Sequence, residues 1–101
     1  MTQENQTYEQ EQKKLIRLIK AVVPEVKIYL YGSRAKGTYR RTSDFDIALD
    51  MGKKMDKLDL FEIKNVLEAT NMPYRFDVID LHNIDPEFKK SIERYMIPWM
   101  D

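Results

Sequence analysis

Residues 26–50 read VKIYLYGSRAKGTYRRTSDFDIALD, and this stretch decides the fold. Val26 to Tyr31 is rich in β-branched and aromatic residues and predicts a short strand, stopped by Gly32. Gly32-Ser33 and Gly37 punctuate a loop or short helical turn that carries basic side chains. Asp44 to Asp50 predicts a second strand, with Phe45, Ile47 and Leu49 on one face and Asp44, Asp46, Ala48 and Asp50 on the other. The aspartates at i and i+2 then point the same way, about 6–7 Å apart at roughly 3.3 Å per residue. Carboxylates are costly to desolvate alone, so this pair needs a counter-charge. Mg²⁺, which takes one or two carboxylates together with substrate phosphates, fits that need.

Working outward, residues 5–23 predict a helix, because Leu15, Ile16, Ile19, Val22 and Val23 recur at spacings of three and four before Pro24. Downstream, Met51 to Lys54 is a polar turn, and Asp56 to Asn71 predicts an amphipathic helix with Leu60, Ile63, Val66 and Leu67 as its apolar stripe. Tyr74 to Leu81 predicts a third strand, and Asn83 or Asp85 caps a last helix reaching about Tyr95, with Pro86 in its first turn. The order α-β-β-α-β-α implies an α+β fold: a three- or four-stranded mixed sheet with helices packed on it. The expectation is one domain over residues 1–101.

Composition narrows the function. The chain has 17 basic and 17 acidic residues, one His and no Cys, with 43% apolar residues. Disulfides, thiolate-metal sites and cysteine nucleophiles are excluded. No apolar run approaches the roughly 18 residues of a membrane span, and the polar N-terminus lacks the features of a signal peptide, so a cytoplasmic domain is expected. Zero net charge argues against direct nucleic-acid binding by bulk basicity. The balance hides two clusters. Lys27, Arg34, Lys36, Arg40 and Arg41 fall in a stretch without an acid, while residues 56–101 carry ten acids against six bases.

Gly32 lets the backbone approach a phosphate closely, and Ser33 offers a hydroxyl and an N–H to its oxygens. Arg34, Lys36, Arg40 and Arg41 in the same connection can neutralise a triphosphate tail. Carboxylates for metal, a Gly-Ser turn and a basic connection are the parts of a phosphoryl- or nucleotidyl-transfer site. A third carboxylate is then expected from Asp77 or Asp80. Their spacing of three puts them on opposite faces, and Asp77 is preferred as the mid-strand residue, leaving Asp80 solvated or capping the next segment.

Gly32-Ser33-Arg34-Ala35-Lys36-Gly37 followed by Ser43-Asp44-Phe45-Asp46-Ile47 resembles the GSRA(R/K)G…SDxD signature of the minimal nucleotidyltransferases, in the DNA polymerase β-like superfamily. The resemblance spans essentially the whole chain, including Phe76 to Leu81, which is similar to a VDxVDL segment of that family. It implies that Gly32 and Ser33 bind nucleotide phosphates, with Arg34, Lys36 and Arg41 beside them. It further implies that Asp44 and Asp46 bind two Mg²⁺ ions, with Asp77 as the third carboxylate and a helper in deprotonating the nucleophile. The implied reaction is attack of a hydroxyl on the α-phosphate of a nucleoside triphosphate, ATP above others, releasing pyrophosphate. Lys36 replaces the commoner Arg, keeping charge but losing bidentate geometry.

About 20 residues come after the third strand, too few for an acceptor-holding domain. Similar small proteins act with a separately encoded all-helical partner of the HEPN or substrate-binding type, and some are antitoxins that transfer AMP to a tyrosine of an RNase toxin. The alternatives are a non-catalytic subunit that neutralises a helical partner by contact, and the catalytic subunit of a two-protein enzyme modifying small molecules. The apolar segment Tyr95 to Met100 is expected to close the core, with a docking surface as the other reading. The six Tyr read as sheet and surface residues, and His82 as a surface residue rather than a catalyst.

Overall fold

Helix α1 (Gln3–Val22) forms because its apolar positions recur every three or four residues. Leu15, Ile16 and Ile19, and Val23 just past its end, are buried together. The computed structural model describes residues 3–37 and 44–99, with side chains from Glu9 onward. After α1 come β1 (Lys27–Tyr31), α2 (Gly32–Lys36), β2 (Phe45–Asp50), α3 (Lys57–Glu68), β3 (Phe76–Asp80), α4 (Pro86–Glu93) and β4 (Ile97–Trp99).

The four strands form one mixed sheet in the order β3-β2-β1-β4. β1 runs antiparallel to both β2 and β4, while β2 and β3 are parallel. Parallel neighbours need a crossover, and α3 supplies it. The Asp56 carboxylate accepts the Leu58 N–H at 2.8 Å to start α3, and Asp85, not Asn83, accepts the Glu87 and Phe88 N–H groups to start α4.

Alternation along the strands sorts residues between two faces. Ile28, Leu30, Phe45, Ile47, Leu49 and Val78 pack with α1 and α3 through Leu15, Ile16, Ile19, Ile63 and Leu67. Tyr31 and Ala48 face the other way and share a smaller cluster with Leu81 and Ile92 of α4. Phe45 is the pivot of the larger core: it is fully buried, stacks on Phe76 at 5.8 Å and meets Trp99 at 5.9 Å. Within the apolar C-terminal segment Trp99 closes the core as expected, pairing with Ile28 in register at 4% exposure, while Ile97 stays exposed and Met100 lies outside the described residues. Among the described residues no helix is long and apolar enough to cross a membrane.

Candidate active site

Register assembles the site. Tyr31 of β1 pairs with Asp46 of β2, and Asp46 pairs with Asp77 of β3. Residues in register on neighbouring strands point the same way, about 4.8 Å apart, so the three form a row across the sheet. The Phe45 N–H donates to the Arg75 carbonyl at 2.9 Å and fixes the two parallel strands at this end. Asp44 lies just before β2 and is exposed.

Gly32 turns the chain from β1 into α2 at a φ of +74°, a left-handed conformation that disfavours side chains. A Cβ at Gly32 would overlap the Asp46 carboxylate. The backbone of the Gly-Ser turn therefore lies directly against the first strand acid. Ser33 comes next on α2, and the Gly37 N–H returns to the Ser33 carbonyl to close that short helix.

Burial first, then the charges of Asp77 and Asp44, push the Asp46 carboxyl up to about 6, while the Arg34 guanidinium pulls it down. The Tyr31 hydroxyl donates to Asp77 Oδ2 at 2.9 Å. Burial, this hydrogen bond and the charges of Asp77 and Asp46 hold the phenol above its usual range, so it stays a donor. Negative charge is thus crowded around Asp46, which suits a cation. Among the described residues, however, no three acidic or His groups converge as a ready-made metal cage. The two observations agree if substrate phosphates complete the ligand set, as is usual for Mg²⁺.

Arg34, expected beside the nucleotide phosphates, is held within the fold. It is 5% exposed, with its guanidinium carbon 4.0 Å above the Phe45 ring and 5.2 Å from that of Tyr74. Its charge reaches Asp46 from within the fold. Lys36 is exposed, and its Nζ sits 4.4 Å over the Tyr95 ring beyond α4. Arg41, with Arg40 and Ser43, lies outside the described residues.

Asp80 is neither solvated nor part of the row. It is 4% exposed and accepts the Met55 N–H at 2.8 Å and the His82 N–H at 3.0 Å, so it fastens the chain around the opposite end of β3. His82 lies there too, its Nε2 2.7 Å from Asp50 Oδ1 and remote from the row. Tyr31 is the residue of the row that the sequence pattern does not single out, since it reads as an ordinary strand tyrosine. Its place immediately before Gly32-Ser33 is the one available signal.

A Gly-Ser turn against in-register carboxylates on a mixed sheet defines a nucleotidyltransferase-type site. Residues 13–97 match the family described as Polymerase beta, Nucleotidyltransferase, and the chain belongs to that family. It is 34% identical over 71 residues to the protein adenylyltransferase MntA of Shewanella oneidensis, covering 69% of this chain and 50% of that protein. It is 25% identical over 80 residues to the probable protein adenylyltransferase MntA of Haemophilus influenzae, covering 79% of this chain and 70% of that one. The fold also matches a crystal structure of a toxin–antitoxin with AMP-PNP, at a TM-score of 0.73 and 27% identity, over 88% of this chain and 72% of that chain.

Proposed function

We propose that this chain transfers AMP from ATP to a hydroxyl, a tyrosine hydroxyl above others, on an all-helical HEPN-type toxin and so acts as its antitoxin. The observation that carries the reading is the pair Asp46 and Asp77, side by side on adjacent strands with the Gly32 backbone against Asp46. The names of the Shewanella and Haemophilus relatives and the toxin–antitoxin neighbour with AMP-PNP support the activity and the kind of partner.

Gly32 and Ser33 bind the phosphates, and exposed Lys36 adds positive charge at the end of α2. Asp44 and Asp46 would hold Mg²⁺, which would supply neutralisation of the triphosphate and of its leaving group, while Asp77 is kept free of the metal as the base. Asp77 takes the proton of the acceptor hydroxyl. The acceptor oxygen bonds to the α-phosphorus as the bond to the departing pyrophosphate breaks. Arg34 acts from the buried side, tempering the repulsion around Asp46.

Incubation of the chain with labelled ATP, Mg²⁺ and the HEPN-type protein should place label on a partner tyrosine. Asp46→Asn should lower transfer by on the order of 10²–10³-fold or more while the variant melts no lower than wild type. Wild-type transfer by that variant would refute the catalytic reading. Protection of cells by the Asp44→Asn/Asp46→Asn double variant would favour neutralisation by contact instead.

A further inference from the structure

We propose that Tyr31 is a positioning residue for Asp77: its hydroxyl holds one carboxylate oxygen and leaves the other to meet the acceptor. This rests on the adenylyl-transfer reading above and assigns a new role within it.

Tyr31 and Asp77 stand two strands apart, about 10 Å between backbones, with Asp46 between them in the same row. A short polar side chain at position 31 does not cross that gap. The tyrosine does, and its hydroxyl ends 2.9 Å from Asp77 Oδ2. The two partners differ in accessibility in a way that suits positioning. Tyr31 is 5% exposed and locked in the sheet, while Asp77 is exposed and open to an incoming group. The Tyr31 ring is also held from the α4 side, where Phe88 meets it edge-on with centroids 6.2 Å apart and planes at 84°. The donor therefore has a fixed direction, and the carboxylate it grips is the exposed member.

A carboxylate torsion is broad and roughly two-fold, so an ungripped Asp77 would present either oxygen at a range of angles. Proton transfer needs the acceptor oxygen within hydrogen-bond reach at the moment of attack. Anchoring Oδ2 reserves Oδ1 for that proton and limits its swing, a preorganisation that acts on the chemical step more than on nucleotide binding.

The test compares wild type, Tyr31→Phe and Asp77→Asn in steady-state transfer to the HEPN-type partner with ATP and Mg²⁺. Tyr31→Phe keeps the ring and its contact with Phe88 and removes only the hydroxyl. Its kcat should fall by about tenfold to a hundredfold with KM for ATP within about twofold, and its Tm should stay within a few degrees. An unchanged kcat in Tyr31→Phe alongside an inactive Asp77→Asn overturns the positioning role and leaves the adenylyl-transfer reading standing. A risen KM with unchanged kcat, or a loss of activity that tracks a loss of Tm, assigns Tyr31 to binding or to the core and equally overturns the role. No transfer by wild type overturns both.

Discussion

The two ends of β2 carry the same kind of residue in opposite electrical states. At the start, Asp46 faces Asp77 and Asp44, and its carboxyl is pushed up to about 6. At the finish, Asp50 accepts the Gly52 N–H and the His82 ring at 2.7 Å each. Burial pushes Asp50 up, but those hydrogen bonds and the charges of His82 and Lys27 outweigh it and hold it below the usual carboxylate range. Neighbouring Asp80 is likewise saturated by backbone donors. Acids at the far end are satisfied by the chain itself, whereas those at the near end are set against one another. The contrast separates aspartates satisfied by backbone and ring donors from mutually repelling ones without reference to any motif.

Beyond loss of the Asp46 carboxylate itself, the largest effect should come from closing the gap that creates the near end. Gly32→Ala forces a side chain into a left-handed φ of +74° and onto the Asp46 carboxylate. It should cost about 1–3 kcal/mol in strain and lower transfer by on the order of 10²-fold, measured by thermal melting and labelled-AMP incorporation. Near-wild-type transfer would mean that the close approach is incidental.

A smaller effect is expected at the far end. Asp80→Ala strips the acceptor from the buried Met55 N–H and from that of His82. Chemical denaturation should show a loss of about 1–3 kcal/mol. Transfer per folded molecule should stay at wild-type level, because Asp80 is outside the row. A selective loss of activity would erase the distinction between the ends.

The smallest effect is a difference in pH slope. A folded carboxyl raised to about 6 binds its proton more readily than the unfolded one at 3.8, so Asp46 destabilises the metal-free protein above 6 and the penalty fades as pH falls through that window. Asp50 has the opposite sign: its contribution is present above 3.8 and is lost as pH falls toward its depressed value. Asp46→Asn should therefore be more stable than wild type at neutral pH by about 1 kcal/mol after solvent screening, with the difference vanishing near pH 4. A constant difference from pH 4 to 8 would count against the electrostatic origin.

Local signals made much of this legible. The spacing of Leu15, Ile16 and Ile19 marks α1, and the alternation of Phe45, Ile47 and Leu49 against Asp46 and Ala48 assigns the faces of β2. Period-two geometry admits only one of Asp77 and Asp80 beside Asp46, the mid-strand position favours Asp77, and the register pairs Asp77 with Asp46. Long-range contacts were not readable. Nothing near Arg34 in sequence says that its guanidinium settles over Phe45, and a basic connection looks solvated until tertiary packing covers it. Tyr31 escaped for the same reason, since its hydrogen bond spans two strand pairings whose register no local pattern encodes. The strand Ile97–Trp99 was hidden by its brevity and by Pro98, which an edge position tolerates.

The place of β1 between β2 and β4 has a consequence for how the protein is made. β1 leaves the ribosome ahead of the other three strands, yet one of its two neighbours, β4, is the last of them. Until β4 is translated, one edge of β1 stays unpaired and Trp99 is missing from beside Phe45. The nascent chain can form the β1–β2 pair early, but the core under Asp46 is sealed only when β4 arrives. Closure of the core beneath the near end thus depends on β4 pairing with β1, not on the early β1–β2 pair alone.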